Sequence, residues 1–218
     1  MEETNFVLLW KEHYQKIDKS LSINKRLLKE LLMEKAQSSI RSLMRGKAFG
    51  IFAAVVYLGL LGFILFVALD HYRPAFNYFL FSIGAIFLIN LKALYDYIRH
   101  LILLGKVDYD GSVLEIQRKL RQLQASLVTH CKIMVLQFPL WTTFFLSSTW
   151  FPSQVSVGYI FIQVFLTGSF VWLAIWLYRK ISLNNLSNRW VSLFVYGVGG
   201  KSVLNALKFY EELGELEA

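Results

Sequence analysis

Cysteine and the familiar catalytic motifs are nearly absent from this 218-residue sequence. Cys131 is the single cysteine, which excludes an intramolecular disulfide and leaves a structural zinc site without its usual ligands. No His-Glu-x-x-His, Cys-x-x-Cys, Gly-x-Ser-x-Gly or dinucleotide fingerprint occurs. Gly200-Lys201-Ser202 is not a phosphate loop, because Val195 occupies the position of that motif's first glycine. We therefore expect a protein without enzymatic activity and without a cofactor.

Charge is missing from four long apolar stretches. Each has about the 17–25 residues that an α-helix needs to cross a hydrocarbon core. None contains Lys, Arg, Asp or Glu, and they cover residues 48–69, 75–91, 133–150 and 156–178. This pattern predicts an all-α polytopic membrane protein with four transmembrane helices. Ion and proton carriers usually place an ionisable residue inside a span, so the pattern disfavours that class of protein.

Basic residues are concentrated in the three segments that flank these stretches. Ten Lys and Arg lie in 1–47, seven in 92–132 and five in 179–218, whereas Arg73 alone lies elsewhere. Because Lys and Arg accumulate in cytoplasmic loops, we predict that both termini and the central loop are cytosolic, in a bacterial inner membrane. The net charge of +8 is then a consequence of topology, with anionic lipid head groups as its partners. Nucleic-acid binding is not expected, since no recognisable module is present.

The first cytosolic segment, 1–47, has the pattern of an amphipathic helix. It contains no proline, and no glycine before Gly46, so it can continue into the first span as one rod. A short apolar stretch over 6–10 precedes it, in which Trp10 either anchors at the membrane interface, packs on neighbouring helices or binds a partner. We predict partner-binding positions on the apolar side of this segment, at Trp10, Ile17, Leu21, Leu28 and Leu32.

The central segment, 92–132, is predicted to be a helical hairpin. Helix-favouring residues extend the second span, a turn follows over 105–111, and Ser112 with Glu115 forms a capping box that starts the next helix. Apolar residues then recur every three or four positions, which indicates a coiled-coil-like packing seam. The seam consists of Val113, Ile116, Leu120, Leu123 and Leu127. We expect it to pack against the extension of span two and the N-terminal helix, with an intermolecular zipper as the alternative.

The last segment, 179–218, contains an apolar run over 190–196 that is too short to span a membrane. We interpret it as interfacial or buried helix, followed by a final amphipathic helix. Four residues near the cytosolic ends of the spans define the one conceivable metal or proton site, namely Asp96, His100, His130 and Cys131. Such residues commonly occur without a ligand on amphipathic helices near a membrane, so no metal is expected.

Part of the N-terminal segment resembles a known group of proteins. Leu9-Trp10, the run from Asp18 through Leu21 and Asn24-Lys25 resemble the pattern of certain four-span bacterial membrane proteins, whose tail is similar to 206–212 here. The genes for that group often neighbour those for extracytoplasmic-function sigma factors. The resemblance implies a regulatory role, with a sigma factor as a possible cytosolic partner, although the His-x-x-x-Cys-x-x-Cys motif of zinc-type anti-sigma factors is missing.

Three hypotheses follow. The first is a non-enzymatic inner-membrane regulatory or scaffold protein, whose cytosolic helices bind a protein partner. The second is an oligomeric membrane channel or lytic effector, because hydroxyl and small residues line parts of spans three and four. The third, a membrane enzyme, has no catalytic constellation to support it. The number of copies per particle separates the first two, since a ring of many copies favours the channel.

Overall fold

The structure is a computed structural model that describes residues 2–107, 112–186 and 188–217. In this part of the chain every regular element is helical. Six α-helices occur: α1 (Glu2–Asp70), α2 (Asn77–Gly105), α3 (Val113–Met134), α4 (Val157–Lys180), α5 (Arg189–Gly197) and α6 (Gly200–Glu217). Short 3₁₀ segments cover Pro74–Phe76, Val135–Gln137, Pro139–Thr142 and Leu183–Asn185. The predicted all-helical class is confirmed, whereas residues 108–111 of the predicted turn lie outside the described residues.

Helix α1 is a single helix of 69 residues. At 1.5 Å per residue it is about 100 Å long. Residues 16–31, which we call the rod, are exposed throughout, and burial begins only at Leu32. The N-terminal helix and the first apolar stretch are therefore one continuous element, and the rod extends beyond the packed part of the molecule.

One end of the molecule is a four-helix bundle made by α1, α2, α3 and α6. Ser112 caps α3 as the sequence predicts, since its side chain accepts a hydrogen bond from the Glu115 amide. Buried apolar side chains from all four helices meet in one core, which contains Leu32, Ala36, Ile40 and Leu43 of α1, Leu104 of α2, the α3 seam, and Val203, Ala206, Leu207, Tyr210 and Leu213 of α6. We call this assembly the bundle.

Among the described residues, three helices are long and apolar enough to cross a membrane: α1, α2 and α4. They contain the predicted spans 48–69, 75–91 and 156–178, except for residues 75, 76 and 156, which directly precede α2 and α4. Their outer faces carry large exposed apolar side chains such as Phe52, Phe63, Phe81, Phe165 and Trp172. So much exposed apolar area would destabilise the protein in water, whereas it is compatible with surrounding hydrocarbon.

The remaining predicted span, 133–150, is not an α-helix, so the prediction of four membrane-spanning helices is not confirmed. Helix α3 ends at Met134, and 3₁₀ segments and turns follow. Pro139 has no amide hydrogen and its ring clashes with the preceding helical turn, which explains the interruption. Hydropathy alone could not reveal this, because an apolar 3₁₀ segment and an apolar α-helix have the same composition.

The interrupted segment nevertheless runs antiparallel along α4. Val135 shares a buried cluster with Leu177, and at the other end the rings of Trp150 and Tyr159 are 5.9 Å apart. From Tyr159 to Leu177, α4 rises roughly 27 Å. Residues 135–150 cover the same length, so each of them advances about 1.8 Å, close to the 2.0 Å rise per residue of a 3₁₀-helix. The segment therefore runs the same length as this part of α4 with fewer residues, in a more extended form.

Candidate functional site: a buried polar cluster and an exposed helix face

Four ionisable side chains are buried where α1, α2 and α3 meet. Asp96 and His100 come from α2, His130 from α3 and Lys47 from α1, and each is at most 4% exposed. We call this set the polar cluster. Buried ionisable groups are costly unless they are paired, so the contacts of each member decide what the cluster can do.

Asp96 is the centre of the cluster. One carboxylate oxygen pairs with Lys92 one helical turn earlier, and the other lies 3.2 Å from His130 Nδ1. Burial lowers the pKa of His130 below its ordinary value, although the hydrogen bond to Asp96 opposes that shift. His130 is therefore neutral at pH 7 and donates from Nδ1 to the carboxylate. Lys92 supplies the countercharge of Asp96.

His100 stands on the next turn of α2. Its Nε2 lies 2.9 Å from the hydroxyl of Ser126, and its ring centroid lies 6.1 Å from that of His130. Burial, assisted by the positive charge of Lys47, lowers the pKa of His100 to about 3. In the described part of the chain, His100 Nδ1 and His130 Nε2 have no hydrogen-bond partner. The cluster thus holds two neutral imidazoles, with an unpaired nitrogen on each.

Lys47 is the lysine of the polar cluster, and its ammonium is not paired with a carboxylate of the described residues. Its ammonium lies 4.3 Å from the centroid of the Tyr97 ring, a cation–π contact. Among the described residues it makes no ion pair and no hydrogen bond. Burial lowers the pKa of Lys47 to about 8, and negative charge at Asp96 and Cys131 partly offsets this effect. Lys47 is therefore still charged at neutral pH.

Cys131 adjoins the cluster but has little reactivity. It is buried, its thiol points to the carbonyl of Phe194 at 3.8 Å, and burial raises its pKa to about 11. A thiol needs its thiolate form to act as a nucleophile or a metal ligand. No group of three or more His, Cys, Asp or Glu in the described residues has a metal-binding arrangement.

A second set of polar side chains connects the interrupted segment 135–150 to the spans beside it. Ser82 and Thr143 hydroxyls are 2.9 Å apart, and the Asn90 amide donates to Gln137 at 3.2 Å. Toward α4, the Gln163 amide donates to the Thr142 carbonyl at 2.6 Å. The Thr142 carbonyl in the irregular segment thus has a hydrogen-bond partner inside the protein.

The predicted partner-binding positions fall into two environments. Ile17, Leu21 and Leu28 are 50%, 60% and 43% exposed on the rod, whereas Leu32 is 5% exposed and belongs to the core of the bundle. Trp10 has a helical backbone in α1, and its side chain lies outside the described residues. The rod also exposes three apolar residues that the sequence analysis did not name, Ile23, Leu27 and Leu31.

The structure brings the predicted seam residues together in the bundle. Ile116, Leu120, Leu123 and Leu127 are each at most 2% exposed, and Val113 packs at the edge of the same core. Helix α3 packs against α2 and against α6, which the sequence analysis had not linked to the seam, whereas α1 packs against α2 and α6 and contributes side chains to the same core. The 190–196 run forms most of α5, with Val191 and Val195 in the cluster around Cys131 and Leu177.

Lys47 is the member of the polar cluster that the sequence analysis missed. Lys47 follows Ala36, Ile40 and Leu43 at the same helical spacing, so the periodicity of the buried face pointed to it. Because Lys47 was interpreted as a charge that sets the topology, its position on the buried face was overlooked. Comparison of the chain with family models, with curated proteins and with solved structures finds no match.

Proposed function

We propose that this chain is a non-enzymatic regulatory or scaffold protein of the bacterial inner membrane, which binds a cytosolic protein through the rod of α1. One observation carries the proposal: every residue from 16 to 31 is exposed, although this stretch contains six large apolar side chains. An amphipathic helix commonly binds by placing such residues in a hydrophobic groove. The apolar area left on the rod is what a partner would cover.

The rod can bind a partner without displacing the bundle. At about 100° per residue, Leu21 and Leu28 lie roughly 60–80° around α1 from Ala36, which faces the core. Leu32, which packs in the core, lies only about 20° around α1 from Leu21 and about 40° from Leu28. The apolar side of the rod therefore continues the face that packs, and the two sets of contacts can exist at the same time because they are separated along the length of the helix.

Charge on the rod favours an acidic partner. Residues 16–31 contain five basic side chains, Lys16, Lys19, Lys25, Arg26 and Lys29, against the two acids Asp18 and Glu30. Positive charge beside an apolar face accelerates association with a negatively charged groove. The resemblance to proteins encoded near sigma factors makes an extracytoplasmic-function sigma factor the first partner to test.

We further propose that segment 133–150 is a fourth crossing of the membrane, so that both termini and the bundle lie in the cytosol. Its antiparallel course along α4 and the partners found by its backbone support this assignment. The basic residues of 1–47, 92–132 and 179–218 then lie on one side of the membrane, as topology requires.

A binding measurement tests the function. The full-length protein in nanodiscs is titrated with a purified sigma factor of this class, using biolayer interferometry. Leu21→Glu should weaken binding at least tenfold, because it places a charge on the apolar side of the rod. Ser22→Glu adds the same charge to the neighbouring residue on the polar side, and it should bind within about twofold of the parent.

Removal of residues 2–31 is the second arm. It deletes the rod but keeps Leu32 and the rest of the bundle core, so the protein should still insert and fold while binding is lost. Equal binding by the parent and Leu21→Glu would contradict the proposal. The channel hypothesis would replace it if the parent binds no sigma factor, elutes as a ring of many copies and conducts ions in liposomes. The polar contacts along 135–150 are the observation that favours that alternative.

A further inference from the structure

A cavity lies beside Lys47, on the side of α1 that faces the turn between α5 and α6. It has a volume of about 230 Å³, and its lining includes Ser42, Lys47, Tyr97, Tyr196, Gly199 and Ser202. Water occupies about 30 Å³ per molecule in the liquid, so the cavity has room for a group considerably larger than one water. It lies where the apolar stretch 48–69 begins.

Helix α6 starts at the wall of this cavity. Gly199 precedes it with a φ of +99°, a conformation that favours glycine. A Cβ at that position would lie 2.1 Å from Leu43 and 3.9 Å from Lys47 Cε, so the start of α6 is pressed against α1. In the described structure the amides of Gly200, Lys201 and Ser202 donate no backbone hydrogen bond, and Val203 is the first that does. The positive end of an 18-residue helix therefore adjoins the cavity.

Lys47 is the second and independent observation. It lines the cavity, is 96% buried, and has neither a carboxylate nor another hydrogen-bond acceptor among the described residues. The nearby Asp96 is already paired with Lys92 and bonded to His130. A buried ammonium next to the positive end of a helix is unfavourable on its own. An anion between them would stabilise both.

We propose that this cavity binds a phosphate-type oxyanion, held by the Lys47 ammonium, the first-turn amides of α6 and the Ser202 hydroxyl. Helix N-termini and lysine together form a common arrangement for phosphate. The anion is either the head group of a phospholipid, reached from the membrane interface, or a phosphate group from solution. The proposal stands independently of the rod and its partner.

The test uses the full chain, stripped of lipid in an uncharged detergent. In the first arm inorganic phosphate is titrated at constant ionic strength against chloride, and the thermal midpoint is followed. In the second arm phosphatidylglycerol is added at a few molecules per protein, and retained adducts are counted by native mass spectrometry. Binding in the second arm alone identifies a head group, whereas binding in the first arm identifies a soluble phosphate ligand as sufficient.

Matched variants separate the site from non-specific charge effects. Lys47→Met keeps the length of the side chain and removes the charge, so it should weaken binding at least tenfold. Lys208→Met removes an exposed charge from a later turn of the same helix, outside the proposed site, and should bind within about twofold of the parent. Ser202→Asp places a carboxylate at the cavity and should also abolish binding, which provides a second variant if Lys47→Met does not fold.

Two results would overturn the proposal. The first is a parent protein that binds neither inorganic phosphate nor phosphatidylglycerol beyond the chloride control. The second is binding that Lys47→Met and Ser202→Asp leave unchanged, because the anion would then be held elsewhere.

Discussion

Leu123 offers a direct measure of how far the bundle stabilises the protein. It lies on α3 and is 1% exposed, in the middle of a core to which α1, α2 and α6 also contribute. Leu114 lies on the same helix and is 78% exposed. Leu→Ala at the two positions removes the same atoms from opposite environments, which makes Leu114→Ala a matched control.

The expected magnitudes differ clearly. A fully buried leucine replaced by alanine loses about 2–5 kcal/mol of unfolding free energy, from lost burial and from the cavity left behind. An exposed position changes stability by roughly 0.5 kcal/mol or less. In a chain of this size 1 kcal/mol corresponds to a shift of about 2–4 °C in the thermal midpoint, so Leu123→Ala should melt roughly 4–20 °C below the parent.

Cys131 supplies the assay. As the single cysteine it is buried and carries a raised pKa, so it should react slowly with a maleimide dye until the protein unfolds. Dye fluorescence on heating then reports the midpoint without an added label. If Leu123→Ala and Leu114→Ala melt together, the α3 seam does not lie in a packed core, and the arrangement of the bundle is wrong.

Two further predictions concern orientation and acidity. With Cys131→Ser as background, a cysteine at Ser153 should react with an impermeant maleimide in intact cells, whereas one at Lys106 should react only after lysis; the reverse pattern would contradict the proposed topology. Acid should destabilise the protein, because the unfolded chain protonates His100 near pH 6.5 while the folded chain resists until about pH 3. The contribution of neutral His100 to the free energy of unfolding is thus complete above pH 6.5 and is lost as the pH falls toward 3. Between pH 7 and 5.5 His100 alone should lower the free energy of unfolding by about 1 kcal/mol. Chemical denaturation of His100→Gln should show a decrease over this pH range that is smaller by that amount.

The long apolar helices could be predicted from the sequence where composition alone decides the outcome. Apart from a residue or two at their starts, the stretches 48–69, 75–91 and 156–178 lie within helices that are long and apolar enough to span a membrane. Stretch 133–150 has a similar composition, yet Pro139 and the neighbouring hydroxyls give it another backbone. A hydropathy pattern measures how apolar a segment is, and it is insensitive to which hydrogen-bonding pattern the backbone adopts.

The polar cluster was only partly predictable, for a different reason. Asp96, His100 and His130 were expected to come near each other, since they lie on the two arms of one predicted hairpin. Lys47 reaches them from α1, and its distance from them along the chain gave no indication of contact. The packing of α6 against α1 is likewise long-range, so the cavity at Gly199 could not be inferred from local pattern.

Helix α1 is the element that connects these features. The same 69 residues contain the exposed rod, one wall of the bundle, the cation of the polar cluster and the first apolar stretch. Leu28 and Lys47 are separated by about 29 Å of uninterrupted helix, and no proline or irregular segment between them would absorb a displacement. A partner that tilts or rotates α1 at the rod therefore acts on the position of Lys47 relative to Tyr97 and the start of α6. Because coupling between two binding sites is reciprocal, an anion that fixes Lys47 against α6 would bias the orientation of the rod to the same extent.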